Sequence, residues 1–226
     1  MSKRDIIVFD FETGSRNPYR TQPTQIAALA LDGRNFKLKG EFNSEIRPIL
    51  DDEKALSLGL DPVEDEALNV TRKTREGLAK APQLKTVWNK FTNFVNKYNW
   101  NGTTFFAPIA AGFNIIGFDM VIINRLCKEY GPFDEKSQRQ KLFHQIYKID
   151  MMDNIFMWTE GDPTIKSISM DSMRERLGMS KDNAHDALQD VKDTANIMIK
   201  FMRTHRAVYR NLKLEKSFAD GDLYIK

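Results

Sequence analysis

Ile6-Ile7-Val8-Phe9-Asp10-Phe11-Glu12-Thr13-Gly14 is the stretch on which the reading of this chain turns. Ile6–Phe11 is apolar and rich in β-formers, which predicts a buried strand. Asp10 and Glu12 stand two apart on it, so their side chains share one face. Two carboxylates side by side on an apolar strand repel each other. Burial raises that cost, because unpaired charge in a low dielectric is expensive. A bound cation relieves both problems; an edge strand with a solvated acidic face avoids them without one.

Working outward, Thr13–Thr24 is rich in Gly, Pro, Asn and Ser and reads as a loop. Gln25–Asp32 and Phe36–Arg47 read as second and third strands around a turn at Asp32-Gly33-Arg34, which makes a meander. Asp51–Ala81 mixes short helical and loop pieces. Leu84–Tyr98 carries Leu84, Val87, Trp88, Phe91, Phe94 and Val95 at helical spacing. Phe105–Ala111 reads as a short strand, Asp119–Tyr130 as a helix, Gly131–Gln140 as a polar connection and Tyr147–Ile149 as a last strand. Asp153–Trp158 begins a helix, and Ser169–Leu177 is another that stops at Gly178. The longest helix is expected over Asp186–Thr204, with Leu188, Val191, Ala195, Met198 and Met202 inward. Three antiparallel strands followed by alternating helices and strands predict an α/β fold with a mixed central sheet and helices layered on it.

Three further positions carry possible chemistry. Asp119 opens an apolar helix, where an aspartate also serves as an N-cap. Asp190 falls in the first turn of the last helix, where the dipole favours a negative charge in any case. His185 stands just before that helix, five residues ahead of Asp190. It is either surface decoration or a group held beside the acids.

The 226 residues suit one domain of ordinary size, and 41% apolar and 29% charged residues fit a water-exposed globular protein. We expect one domain over 1–213 and a poorly patterned tail over 214–226, either docked or loose. A net charge of +3 does not by itself announce a nucleic-acid binder. Lys200, Arg203, Arg206, Arg210 and Lys213 form a charged stretch that is either a solvated face or a track for a strand backbone. The single cysteine, Cys127, sits in an apolar run and reads as a buried thiol, which fits a reducing compartment. One cysteine and the scattered His144, His185 and His205 cannot build a zinc site. No apolar stretch reaches the ~18–20 residues of a membrane span. Met1-Ser2-Lys3-Arg4-Asp5 runs straight into a strand, so no signal peptide and a cytoplasmic location are expected, the host cytoplasm for a viral protein.

Taken together, these residues resemble the three motifs of the DEDDh (DnaQ-like) 3′→5′ exonucleases, a branch of the ribonuclease H-like superfamily. Phe9-Asp10-Phe11-Glu12-Thr13-Gly14 resembles the first motif. Asn114-Ile115-Ile116-Gly117-Phe118-Asp119 resembles the second, and His185-Asp186-Ala187-Leu188-Gln189-Asp190 the third. The likeness extends to Gln25–Asp32, to Ala67–Thr71 with Leu78–Pro82, and to Ser167–Gly178. There are departures. One extra residue separates Asn114 from Phe118, as in exonuclease domains of family B polymerases. Phe113 replaces a common histidine, and Arg72 stands where glycine is common.

The resemblance implies a ribonuclease H-like sheet and a site for two divalent cations, Mg²⁺ or Mn²⁺. Asp10, Glu12 and Asp190 would hold one ion, and Asp10 with Asp119 the second. His185 would act as general base. Phe11, Thr13, Gly14 and Asn114 would line the terminal nucleotide, although simple packing accounts equally well for Phe11. The implied substrate is a single-stranded DNA 3′ end, cut to 5′-mononucleotides in replication, proofreading or repair. RNA or short oligonucleotides are the alternative substrate, and a non-catalytic nucleic-acid-binding or polymerase-associated module is the third reading. A polymerase or replication complex is a compatible partner, and monomer and homodimer both stay open.

Overall fold

The computed structural model describes residues 4–180 and 186–212. Strands β1 (Ile6–Thr13), β2 (Pro23–Leu31) and β3 (Leu38–Glu45) form the expected antiparallel meander. Three short helices follow, α1 (Asp52–Ser57), α2 (Asp65–Thr71) and α3 (Arg75–Lys80), and then the longer α4 (Leu84–Asn96). Strand β4 (Ile109–Gly112) pairs parallel to β1, helix α5 (Asp119–Tyr130) follows, and a small hairpin of β5 (Phe133–Asp134) and β6 (Arg139–Gln140) interrupts the polar connection. Strand β7 (Lys148–Asp150) closes a five-stranded mixed sheet in the order β3-β2-β1-β4-β7. Helices α6 (Met151–Thr159), α7 (Met170–Arg176) and α8 (Ala187–Leu212) complete the described chain.

The two-residue period of β1 sorts its side chains between two cores. Ile7, Phe9 and Phe11 face α4 and α5, where they pack with Phe91, Ile122, Ile123 and Leu126. Ile6 and Val8 face the other way, onto Met151, Ile155, Met173, Val191 and Met198 of α6, α7 and α8. Asp10 and Glu12 continue this second face. They therefore emerge toward the start of α8, while the first turn of α5 reaches the same edge of the sheet from the opposite layer.

Several boundaries differ from the sequence expectation. Strand β4 starts four residues late, because Phe105 and Phe106 close an aromatic cluster with Trp100 (centroids 4.9 Å and 4.3 Å apart) instead of extending the sheet. Helix α8 runs two turns further than expected. Beyond Thr204 the apolar residues Ala207, Val208 and Tyr209 are consecutive rather than spaced by three and four, and no Gly or Pro marks a stop, so the continuation carries no periodic signal. Arg72, at a position where glycine is common, holds a left-handed φ of 56° and ends α2. Cys127 is buried, and burial pushes its thiol up to about 12, which makes it inert. Among the described residues no helix is long and apolar enough to cross a membrane.

Candidate metal centre

Asp10 and Glu12 of β1 and Asp190 of α8 each bring a carboxylate oxygen to within 4.8 Å of the others. None of the three is fully buried, so an ion can reach them from solvent. Asp119 is 2% exposed and lies close enough to raise the pKa of Asp10. It does not cap its own helix, whose N-cap is Phe118 with no side-chain bond. Its carboxylate instead accepts the backbone N–H of Phe11 at 3.0 Å, which ties the start of α5 to β1. The four acids of the sequence argument thus meet at one end of the sheet. His185 and its neighbours from Lys181, and the tail beyond Leu212, lie outside the described residues.

The electrostatics are those of acids short of positive charge. Burial, followed by the charges of Asp119, Glu12 and Asp190, holds the Asp10 carboxyl well above its ordinary range; Arg174 opposes this. Burial and then Asp190 push Glu12 up to about 8, with Lys73 pulling the other way. Burial pushes Asp119 to about 8 against the lowering effect of the Phe11 N–H. Among the described residues no N–H or O–H donates to the carboxylates of Asp10 or Glu12. An all-oxygen set of this kind, with Asp10 and Glu12 free of hydrogen-bond donors among the described residues, fits a hard divalent cation.

Two side chains that sequence reasoning did not single out organise the centre. Arg174 of α7 is 1% exposed. Its Nη2 meets Asp190 Oδ1 at 2.5 Å, its Nε meets Asp193 Oδ2 at 2.8 Å and its Nη1 meets Asp171 Oδ1 at 3.1 Å. Burial works against its charge, but the carboxylates of Asp193 and Asp190 outweigh this and push its pKa up. It therefore fixes the orientation of Asp190. The available signal was the stripe of Met170 and Met173, which turns position 174 inward as well. The second is Asp150, at the end of β7, which accepts backbone N–H groups from Asn114 (2.9 Å), Ile116 (3.0 Å) and Met152 (3.0 Å). It sets the loop that leads to Asp119 and holds Asn114 at a left-handed φ of 57°.

The expected substrate-lining residues divide. Glu12, Thr13 and Phe118 border a cavity of about 270 Å³ beside the acids. The Phe11 ring is 5% exposed and stands edge-on to Phe9 at 6.3 Å, so packing accounts for its side chain. The Gly14 N–H is taken by the Gln22 carbonyl at 2.8 Å, and a Cβ at Gly14 would meet Val63 Cγ2 at 3.0 Å. Asn114 is exposed.

The sequence profile of the RNase T family, described as exonuclease, matches residues 7–198. The chain belongs to this RNase T/DnaQ-like exonuclease family. No curated protein sequence matches it. Among solved structures it is similar to Escherichia coli exonuclease I in complex with a dT13 oligonucleotide (TM-score 0.69, 18% identity, 94% of this chain and 44% of that one). It is also similar to exonuclease I from Methylocaldum szegediense (TM-score 0.61, 19% identity, 92% and 41%). Cell-death related nuclease 4 is a third (TM-score 0.63, 16% identity, 88% and 64%). At such identities these likenesses show the fold alone, and the chain spans less than half the length of the exonuclease I structures. The ribonuclease H-like sheet implied by the motifs is therefore the observed one, and the acidic cluster stands where that sheet ends.

Proposed function

We propose that this chain is a metal-dependent 3′→5′ exonuclease that removes 5′-mononucleotides from single-stranded DNA ends. The observation that carries the reading is the convergence of Asp10, Glu12 and Asp190 within 4.8 Å, without hydrogen-bond donors on the first two, in a chain of the exonuclease family. Asp10, Glu12 and Asp190 would hold one ion, and Asp10 with Asp119 a second, with Mg²⁺ or Mn²⁺ favoured by the carboxylate oxygens. When bound, such ions lower the pKa of water and stabilise charge on the scissile phosphate. His185 takes the proton of the attacking water as its oxygen bonds to phosphorus. The P–O3′ bond then breaks, and the departing O3′ takes up a proton from solvent to leave a 3′ hydroxyl on the shortened strand. Thr13 and Phe118 border the terminal nucleotide, Asn114 reaches toward it from the second motif, and Phe11 with Gly14 shape the backbone around it. We assign this activity to one domain, 1–213, with 214–226 as a tail outside it.

The DNA reading draws on the oligonucleotide-bound relative. The test is to incubate 5′-labelled single-stranded DNA and RNA with Mg²⁺, Mn²⁺ or chelator. Laddering of DNA from the 3′ end, absent in chelator, is the expected result. Faster laddering of RNA assigns the chain to the RNA-cutting alternative, and activity that survives chelator overturns the metal mechanism. His185→Ala is expected to keep metal binding and lose about a hundredfold or more in turnover.

A further inference from the structure

A cavity of about 740 Å³ opens along the outer face of α5, between that helix, the loop after β1 and the β5–β6 hairpin. Its charged lining residues are all cationic: Arg125 and Lys128 from α5, Arg139 from β6 and Lys148 from β7. Arg125 builds the wall, donating to the carbonyls of Tyr19, at 2.8 Å, and Thr21. Lys128, Arg139 and Lys148 make no ion pair among the described residues. Burial, and then the charge of Arg139, hold the Lys148 ammonium below its ordinary range.

Lysines on the outer face of a helix are usually a solvated surface. Here three elements converge their cations on one concavity, Arg125 and Lys148 half-buried, with no carboxylate among the lining residues. Like charges gathered this way repel one another unless an anion joins them. Asn124 adds an amide donor, and Tyr19, 72% exposed, offers an aromatic face. The lining of the cavity begins one residue beyond the acid of α5. Met120, in its lining, directly follows Asp119, and the loop carrying Tyr19 leads out of β1. From Met120 to Lys128 the helix runs about 12 Å away from the acids.

We propose that this cavity holds the phosphate backbone of the unpaired strand on the 5′ side of the terminal nucleotide, with Lys128, Arg139 and Lys148 facing phosphates and Tyr19 stacking on a base. The inference rests on the exonuclease reading and adds the face along which its substrate lies. Free bases are required for such stacking, so the occupant is a single strand.

A second basic cavity, lined by Arg34, Arg203 and Arg210, supplies an internal control. Position 210 lies about 30 Å along α8 from Asp190, at the far end of the sheet. Binding is read by fluorescence anisotropy of a 5′-fluorescein, fifteen-nucleotide oligothymidine in chelator, so that no turnover is needed. We expect Lys128→Glu with Arg139→Glu to bind at least tenfold more weakly than the parent protein. The log–log salt dependence should flatten by about 1.4, the share of two single-strand phosphate contacts. Arg203→Glu with Arg210→Glu, the same change in net charge, should bind as the parent does. If the reversed pair is shown by circular dichroism to misfold, Lys128→Ala with Arg139→Ala should weaken binding in the same direction. Unchanged affinity and slope in the α5 pair overturn the proposal, and so does equal weakening by the control pair. Equal competition by a blunt duplex overturns the single-strand assignment. A parent protein that does not bind the oligothymidine at low salt overturns the proposal in favour of an acidic protein occupant. Because the assay needs no hydrolysis, loss of binding in the α5 pair stands even if laddering fails, and laddering stands even if this face is wrong.

Discussion

Asp150 and Asp10 occupy matching places, each near the C-terminal end of a parallel strand of one sheet, and they solve the problem of a buried acid in opposite ways. Asp150 is surrounded by donors, and the N–H groups of Asn114, Ile116 and Met152 meet its two oxygens at 2.9–3.0 Å. Its charge is satisfied by the backbone, and in return it fixes the loop that leads to Asp119. Asp10 has no such donors among the described residues and faces Glu12, Asp119 and Asp190. A carboxylate supplied with N–H groups is a structural part. A pair of carboxylates without them, Asp10 and Glu12, stays short of positive charge until a cation arrives, which is the arrangement a metal-dependent nuclease needs.

The largest expected effect tests the contrast directly. Asp10→Asn should lower exonuclease activity by about 10³ or more, since it removes the proposed shared ligand. The metal-free variant should be as stable as the parent at pH 8 or more so, because a repelling charge has gone. Asp150→Ala should do the reverse. Leaving charge-assisted bonds unmade should cost about 3 kcal/mol in a urea melt, with activity falling only as the folded fraction and the Asn114 loop are lost. Destabilisation by Asp10→Asn together with a silent Asp150→Ala would erase the distinction.

Arg174 lies between the two cases, because it is a protein-supplied cation already placed on one of the acids. Arg174→Met leaves Asp193, which is 5% exposed, without its strongest partner. Breaking a buried pair on one side costs about 3–5 kcal/mol. Arg174→Lys keeps the charge but not the three-way fork, so it should recover part of the stability. It should also leave a weaker metal dependence of activity, because Asp190 is no longer aimed. If both variants bind Mn²⁺ as the parent does in calorimetry, the aiming role is lost and only a structural one remains.

These contrasts also show what could be read from the chain beforehand. The face shared by Asp10 and Glu12 was legible because it follows from the strand period alone, and α5 was legible from its apolar spacing. The run Phe105–Pro108 was misleading, since aromatic residues that close a loop look like a strand in sequence. Arg174 and Asp150 were not legible. Asp190, which Arg174 aims, and Asn114, which Asp150 holds, lie sixteen and thirty-six positions away, and the Met170–Met173 stripe turns position 174 inward without marking what its charge would meet. The basic cavity along α5 was hidden too, because its cations come from three elements and a net charge of +3 averages them with distant acids.

The smallest effect tests the strain itself. Glu12, with an ordinary value of 4.5, and Asp119, at 3.8, are both raised to about 8. Between those limits the metal-free folded chain holds protons that the unfolded chain has released. Stability is therefore greatest below about pH 4 to 5 as far as these groups are concerned, and it falls as pH rises through 8. The slope is at most about 1.4 kcal/mol per pH unit for each group that titrates. Thermal melts in chelator should decline from pH 5 to pH 8.5. Mg²⁺ or Mn²⁺ at a hundred times its dissociation constant should restore about 2.7 kcal/mol at the alkaline end, where the ion no longer competes with protons. A flat or rising metal-free profile would mean that the acids are satisfied without a cation, which would make Asp10 another Asp150.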